Sequence, residues 1–303
     1  MNNVLITGAT GFIGSHLRNS LHGTKFNVTA ISRKSTHGFV NMGELSYSTD
    51  WSAVLNDINT VVHTAASAHL SKSSSSADDK LFFDINRDAT INLARQCVHF
   101  GIKRFIFISS IGVHGNISDK PFSYLDEPSP YDAYTQSKYE AEQALKELSE
   151  NSDLEVVIIR PPLVYGPNAR GSFSNLMNII SKNIPLPFGA VNNSRSLVGI
   201  DNLIDLITLC LDHPAAINQT FLVSDDSDVS TSELLKVMIS ISGKRTFLFP
   251  VDIRVLNFFA RIIGKRNIFD KLCGNLQIDI SHTKNTLSWH PPVSFKEGIQ
   301  RCF

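Results

Sequence analysis

NVLITGATGFIGSHL, residues 3–17, is the stretch whose reading decides the fold. Val4, Leu5 and Ile6 are apolar in succession and run into Thr7, as in a short buried strand. Gly8, Gly11 and Gly14 follow, and Phe12, Ile13 and Leu17 begin a helical stripe. Glycine permits a tight turn and lets backbone N–H groups reach a pyrophosphate at the positive end of the helix. Gly14, the third, allows helix and strand to pack closely. The spacing is G-x-x-G-x-x-G, one residue wider at the first gap than G-x-G-x-x-G. A strand before, a helix after and a place near the start of the chain make this a dinucleotide loop.

Outward from the loop, apolar strand-like runs alternate with helical patterns. This predicts an α/β fold with a doubly wound parallel sheet and right-handed crossovers. Strands are expected at residues 4–7, 27–32, 60–63, 104–109 and 155–160, with helices notably at 86–100 and 133–150. The serine run SKSSSSADD, residues 71–79, breaks the pattern as a solvated loop or a lid over the substrate. From Pro161 the texture changes, and prolines and glycines cluster in PPLVYGPNARG and IPLPFGA. The apolar stretch VDIRVLNFFARIIGKR, residues 251–266, reads as a packed helix or subunit contact, with a membrane-surface helix as the alternative.

A second motif lies in PYDAYTQSKYEAE, residues 130–142. Tyr134 and Lys138 are four residues apart, so a helix places them on one face. A free tyrosine titrates near pH ~10, and a neighbouring ammonium is expected to pull it toward neutrality as an acid–base catalyst. Tyr131 and Tyr139 lack a lysine four residues on.

Composition fits a soluble enzyme. The chain has 303 residues, with 28 Lys plus Arg against 28 Asp plus Glu. No global field favours nucleic acid or an anionic membrane. Cys97, Cys210, Cys273 and Cys302 are scattered without metal-ligand spacing. The chain enters its first strand at once, and no apolar run approaches the ~20 residues that span a bilayer, so a cytoplasmic protein is expected.

Together the motifs resemble the extended short-chain dehydrogenase/reductase family, in its nucleotide-sugar epimerase/dehydratase branch. The markers come in family order: the glycine loop, DINTVVHTAA around His63, Asn86 in FFDINRDATINLA, and FIFISSIGVHG around Ser110. Tyr134 and Lys138, RPPLVYGP from Arg160, SRSLVGIDNL around Asp201 and LSWHPPVSFKEGI complete the set. The resemblance implies a Rossmann-type domain at residues 1–162, rejoined by part of 195–224, and a smaller mixed substrate domain at 163–303. It also implies a catalytic set of Ser110, Tyr134 and Lys138. Tyr134 would be the general acid or base, Lys138 would lower its pKa and bond the nicotinamide ribose, and Ser110 would bond the same substrate oxygen. Of two hydroxyls at that strand end, Ser109 and Ser110, the family pattern selects the second. His63, Ala65 and Pro161 would join Gly8, Gly11, Phe12, Ile13 and Gly14 around the cofactor.

Three further positions narrow the reaction. Sugar 4,6-dehydratases of the family carry an Asp-Glu pair after the catalytic hydroxyl; here Ile111 and Gly112 stand there and transfer no protons. An acidic residue at the end of the second strand would select NAD. This chain reads VTAISRKS, where Ser32 and Arg33 suit a 2′-phosphate, so NADP is expected, with NAD as the alternative. Arg195 matches a family position that pairs with a nucleotide-sugar diphosphate, and Pro187 and Phe188 lie in the segment expected along the nucleobase. Leu163 replaces a frequent substrate-binding Asn, and LCGNLQID lacks the family's later diphosphate arginine.

The leading reading is an NADPH-dependent reductase of a UDP-4-keto-hexosamine in surface polysaccharide synthesis. A UDP-glucose or UDP-N-acetylglucosamine 4-epimerase with tightly held NAD uses the same residues. A non-catalytic dinucleotide-binding regulator is disfavoured by the intact Ser110, Tyr134 and Lys138. No metal, nucleic-acid partner or membrane span is expected, and a homodimer is the expected assembly.

Overall fold

The amino-terminal strand forms β1 (Asn2–Thr7) in a computed structural model that describes residues 2–67 and 76–303. It pairs in parallel with β2 (Phe26–Ser32) on one side and β4 (Thr60–His63) on the other. With β3 (Val40–Asn41), β5 (Arg104–Ile108), β6 (Glu155–Arg160) and β9 (Thr220–Leu222), the sheet order is β3-β2-β1-β4-β5-β6-β9, every pair parallel. Consecutive apolar residues are needed because both faces are covered. Val4, Ile6, Val62, Ile106 and Val157 face one core. Leu5, Val61, Phe105, Phe107 and Val156 face the other. This is the period-two alternation of a strand buried on both sides.

The helices that cover these faces are α1 (Phe12–Leu21), α2 (Ser52–Leu55), α4 (Ala89–His99), α5 (Ala133–Glu150) and α7 (Ile200–Cys210), while α3 (Ser76–Phe82) packs on α5 and α6 (Ser172–Ser181) belongs to a separate, smaller cluster. Leu17 and Leu21 of α1 pack with Leu203, Leu206 and Ile207 of α7 on the first core. Leu93, Ala94 and Cys97 of α4 pack with Ala141 and Leu145 of α5 on the second. A π-helical segment, Phe83–Asp88, runs between α3 and α4. Residues 71–75 of the serine run lie outside the described residues, and Ser76 already opens α3.

Beyond Arg160 a short parallel pair, β7 (Leu163–Tyr165) and β8 (Leu197–Gly199), carries a smaller apolar cluster. α8 (Thr231–Ser242) and α12 (Phe295–Gln300) pack there through Leu234, Leu235, Met238, Phe295 and Ile299. Asp225 joins the two parts. It accepts bonds from Tyr165 Oη at 2.6 Å, the Gly199 amide at 2.8 Å and Asn202 Nδ2 at 2.7 Å. The chain then returns, and α11 (Ser281–Leu287) places Leu287 in the first core beside Trp289. Residues 251–266, expected as a packed helix or a subunit contact, form α9 (Ile253–Ile262), followed by α10 (Arg266–Cys273). No residue of α9 is buried, because its apolar stripe points away from the core.

Candidate active site

The glycine loop, Ser32, Arg33, His63, Ser110 and Pro161 lie at the carboxyl ends of the parallel strands, on either side of the point where sheet order reverses between β1 and β4. After β1 the chain must turn within hydrogen-bond reach of itself, and the Gly11 amide donates to the Gly8 carbonyl at 2.8 Å. Gly8 has φ +67°, and a Cβ there would lie 2.6 Å from the Ala65 nitrogen after β4. A Cβ on Gly14 would lie 2.4 Å from the Gly8 carbonyl oxygen. Glycine is therefore obligatory at both places. α1 begins at Phe12 with no side chain capping it, so its first amides, Phe12 and Ile13 among them, are presented at the positive helix end. This bare cradle fits a dinucleotide pyrophosphate.

Ser109 and Ser110 follow β5. Ser109 is buried and its hydroxyl has no partner among the described residues, whereas Ser110 is half-buried and its hydroxyl accepts the Gly112 amide at 3.1 Å. Helix α5 starts directly opposite. Asp132 caps it by accepting the Thr135 amide at 2.8 Å, with Thr135 returning a bond to the cap residue. Gly112 lets the two segments meet, for a Cβ on it would lie 2.6 Å from Thr135 Cγ2. The same contact leaves no room for an acidic side chain at that position.

Tyr134 falls in the first turn of α5, edge-on to Phe82 with ring centroids 5.8 Å apart. Its pKa is pushed up to about 12, by burial first and then by Asp132 and Tyr131; the Ser110 hydroxyl beside it acts in the opposite direction. The lowering expected from Lys138 does not offset this rise. Lys138 Nζ donates to the Ile108 carbonyl at 2.9 Å and lies 4.5 Å from the Phe107 ring centroid. Burial lowers the Lys138 pKa to about 7, with Glu142 opposing. One helix face therefore carries a phenol and an amine whose burial shifts both toward their neutral forms. A phenol and a serine hydroxyl at one strand end can hold and move a proton on a shared oxygen.

His63 ends β4 with its ring turned into the core. Nδ1 is 2.8 Å from the Thr7 hydroxyl and Nε2 is 3.0 Å from the Thr90 hydroxyl, and burial with Lys138 nearby lowers its pKa to about 3. Any part His63 has at the cofactor is thus through its backbone. Pro161 follows β6, and its carbonyl accepts the Ile111 amide at 2.9 Å. Arg195 shares its surroundings with Tyr131 and Cys273, and Nη1 donates to the Gly274 carbonyl at 2.9 Å. Phe188, next to Pro187 in the chain, packs on the smaller cluster, and its carbonyl accepts the Ser232 hydroxyl.

At the end of β2 no acidic residue stands in the strand itself, but a carboxylate approaches from the following segment. The Ser32 hydroxyl is buried and donates to the Lys34 carbonyl at 2.7 Å while accepting the Lys34 amide. Arg33 is exposed, with Nη1 3.4 Å from Glu44. Glu44 arrives because β3 pairs beside β2 and carries the chain back to this corner.

Sequence reasoning missed the supports of α5. Arg160 Nε donates to Glu142 at 3.0 Å, and its Nη1 is 2.7 Å from His114 Nε2, all buried. The signal was present: Glu142 follows Lys138 by four, continuing the Tyr134–Lys138 face. Asn86, fully buried in the π-helical segment, donates to Ser137 at 3.1 Å and to the Ser67 carbonyl at 3.0 Å. Among the described residues, no cluster of His, Cys, Asp or Glu is placed to hold a metal ion, and no helix is long and apolar enough to cross a membrane.

The chain is similar to known proteins over nearly its whole length. Residues 4–224 match the NAD dependent epimerase/dehydratase family. A UDP-glucose 4-epimerase of Vibrio cholerae is 44% identical over 306 residues, covering 98% of this chain and 93% of that protein. Bacillus cereus UDP-glucuronic acid 4-epimerase, solved with NAD, superposes with TM-score 0.78 at 24% identity, covering 99% of this chain and 95% of its own. Thermotoga maritima UDP-glucose 4-epimerase, solved with UDP-glucose, gives TM-score 0.78 at 21% identity, covering 99% and 97%. At those identities the two structures speak to the fold.

Proposed function

This chain belongs to the NAD dependent epimerase/dehydratase family, and from that membership we propose that it is a UDP-hexose 4-epimerase with tightly held NAD. The observation that carries the reading is the 44% identity, along almost the whole chain, to the Vibrio cholerae UDP-glucose 4-epimerase. Gly8, Gly11, Phe12, Ile13 and Gly14 would hold the pyrophosphate, with Ala65 and Pro161 at neighbouring strand ends. When bound, the nicotinamide supplies the hydride chemistry at C4 of the sugar.

The remaining work falls to side chains of this protein. Tyr134 takes the proton of the C4 hydroxyl as that carbon is oxidised, and returns it when the carbon is reduced. Ser110 bonds the same oxygen and favours its partial charge. Lys138, one turn along α5, stabilises the phenolate whenever it carries its proton. The first-turn position of Tyr134 adds the positive end of the helix dipole. Arg195 would pair with the substrate diphosphate, and Pro187 and Phe188 with the base, all from residues 163–303. Inversion requires the sugar to present both faces at one Tyr134–Ser110 pair.

NAD is preferred because Ser32 is occupied within its own turn and Glu44 stands beside Arg33, where it would repel a 2′-phosphate. A second reading, the NADPH-dependent 4-ketoreductase, is favoured by the exposed Arg33 and Lys34 at the same corner. Incubation with UDP-glucose and no added nucleotide separates the two. The epimerase yields UDP-galactose and carries NAD through purification. NADPH consumption on a UDP-4-keto-hexosamine, without any epimer formed, would overturn the proposal in favour of the reductase.

A further inference from the structure

Helices α9 and α10 carry apolar side chains that the fold does not use. Val255, Phe258, Phe259 and Ile262 recur at the i, i+3, i+4, i+7 spacing of one helix face, the pattern that normally faces a core. Here that face looks outward. Phe258, Phe259, Ile262, Ile263 and Ile268 are each between 51% and 64% exposed. Contiguous apolar exposure of this kind marks an interaction surface.

Charge identifies what the surface meets. Residues 244–271 hold seven Lys or Arg against two Asp, in a chain whose cations and anions balance overall. Both aspartates are engaged locally. Asp252 caps α9 by accepting the Arg254 amide, and Asp270 lies 3.9 Å from Arg266. Arg261, Lys265 and Arg266 therefore flank the stripe with a net positive field. A second copy of this chain is a poor match, because a twofold contact sets the patch against itself and brings the cations together. An anionic bilayer satisfies both features at once, with acyl chains for the apolar stripe and lipid phosphates for the basic flank. At ten residues α9 is about 15 Å long, half the ~30 Å hydrocarbon layer, so it lies in the interface.

We propose that the α9–α10 face docks this protein on an anionic lipid surface. Gly274, directly after α10, accepts the bond from Arg195, so the docked helices are continuous with the segment that carries a candidate substrate contact.

The test is co-sedimentation of the full chain with phosphatidylcholine vesicles, with and without phosphatidylglycerol, at low and high salt. The wild type should partition to the anionic vesicles and be released by salt. Phe258→Ser with Phe259→Ser should weaken partition at least roughly tenfold while leaving turnover unchanged. If the serine pair misfolds, Arg261→Glu with Lys265→Glu, at exposed positions, decides in its place and should abolish binding. The proposal is overturned if the wild type ignores anionic vesicles, if it binds neutral ones equally, or if neither folded variant weakens binding. Conversion of a dimer to a monomer by either variant would also overturn it, making the face a contact between copies.

Discussion

Tyr134 and Lys138 are the residues on which the chemistry turns, and both are governed by burial before any partner acts. Tyr134→Phe keeps the ring and its contact with Phe82 but removes the transferable proton. Turnover should fall by roughly 10²–10⁴, with dinucleotide retained, as read by rates on UDP-glucose beside cofactor content. Near-wild-type turnover would remove Tyr134 from the mechanism. Lys138 is a stability statement as well. Its pKa falls from the usual ~10.4 of an unfolded chain to about 7 in the folded one. Between those values the unfolded chain binds more protons, so stability rises with pH from 7 to ~10.4 and is lost again as pH falls through that window. Lys138→Met abolishes this dependence. Urea unfolding of the two proteins should show the wild type gaining on the order of a few kcal/mol relative to the variant between pH 6 and pH 10. Parallel stability curves would show that Lys138 titrates normally.

Helix α5 is the element that holds the site, fixed at one end by its Asp132–Thr135 cap and along its length by the buried Glu142–Arg160 pair. Removal of one partner leaves an uncompensated charge in the core. Arg160→Met should therefore cost about 3–5 kcal/mol in unfolding free energy. Glu142→Leu added to Arg160→Met should recover most of that loss, since replacing both charges leaves none unpaired. Recovery stays incomplete because His114, 2.7 Å from Arg160, also loses its partner. A double variant no more stable than the single one would show that the pair attracts far more strongly than its desolvation costs.

At the scale of the whole molecule, cofactor binding and stability are linked, because only the folded sheet assembles the cradle. A nucleotide present at about 100 times its dissociation constant adds ~2.7 kcal/mol, roughly 4 °C in melting temperature for a chain of this size. Protein stripped of nucleotide should gain more from NAD than from NADP. Glu44→Gln should narrow the difference by relieving repulsion beside Arg33. A larger gain with NADP in the wild type would reverse the cofactor assignment and strengthen the reductase reading.

Local patterns in the chain determined much of this. The buried run of residues 4–7 and its three glycines specified a strand, a turn of positive φ and a helix start, because each is dictated by sterics within a few residues. The apolar runs at 60–63, 104–109 and 155–160 specified a parallel sheet by the same logic, and the 133–150 helix was legible from its spacing. What depends on residues far apart was decided by the tertiary structure alone. Glu44 reaches Arg33 only because β3 pairs with β2, and Arg160 meets Glu142 only because β6 lies under α5. The His63 ring is enclosed by Thr7 and Thr90 from two other elements, partners that only the fold brings to it. The outward face of α9 was equally hidden, since an apolar stripe has the same spacing whether it meets a core or the surface. Spacing reports which side chains share a face, whereas long-range packing decides what that face meets and how far burial moves each proton.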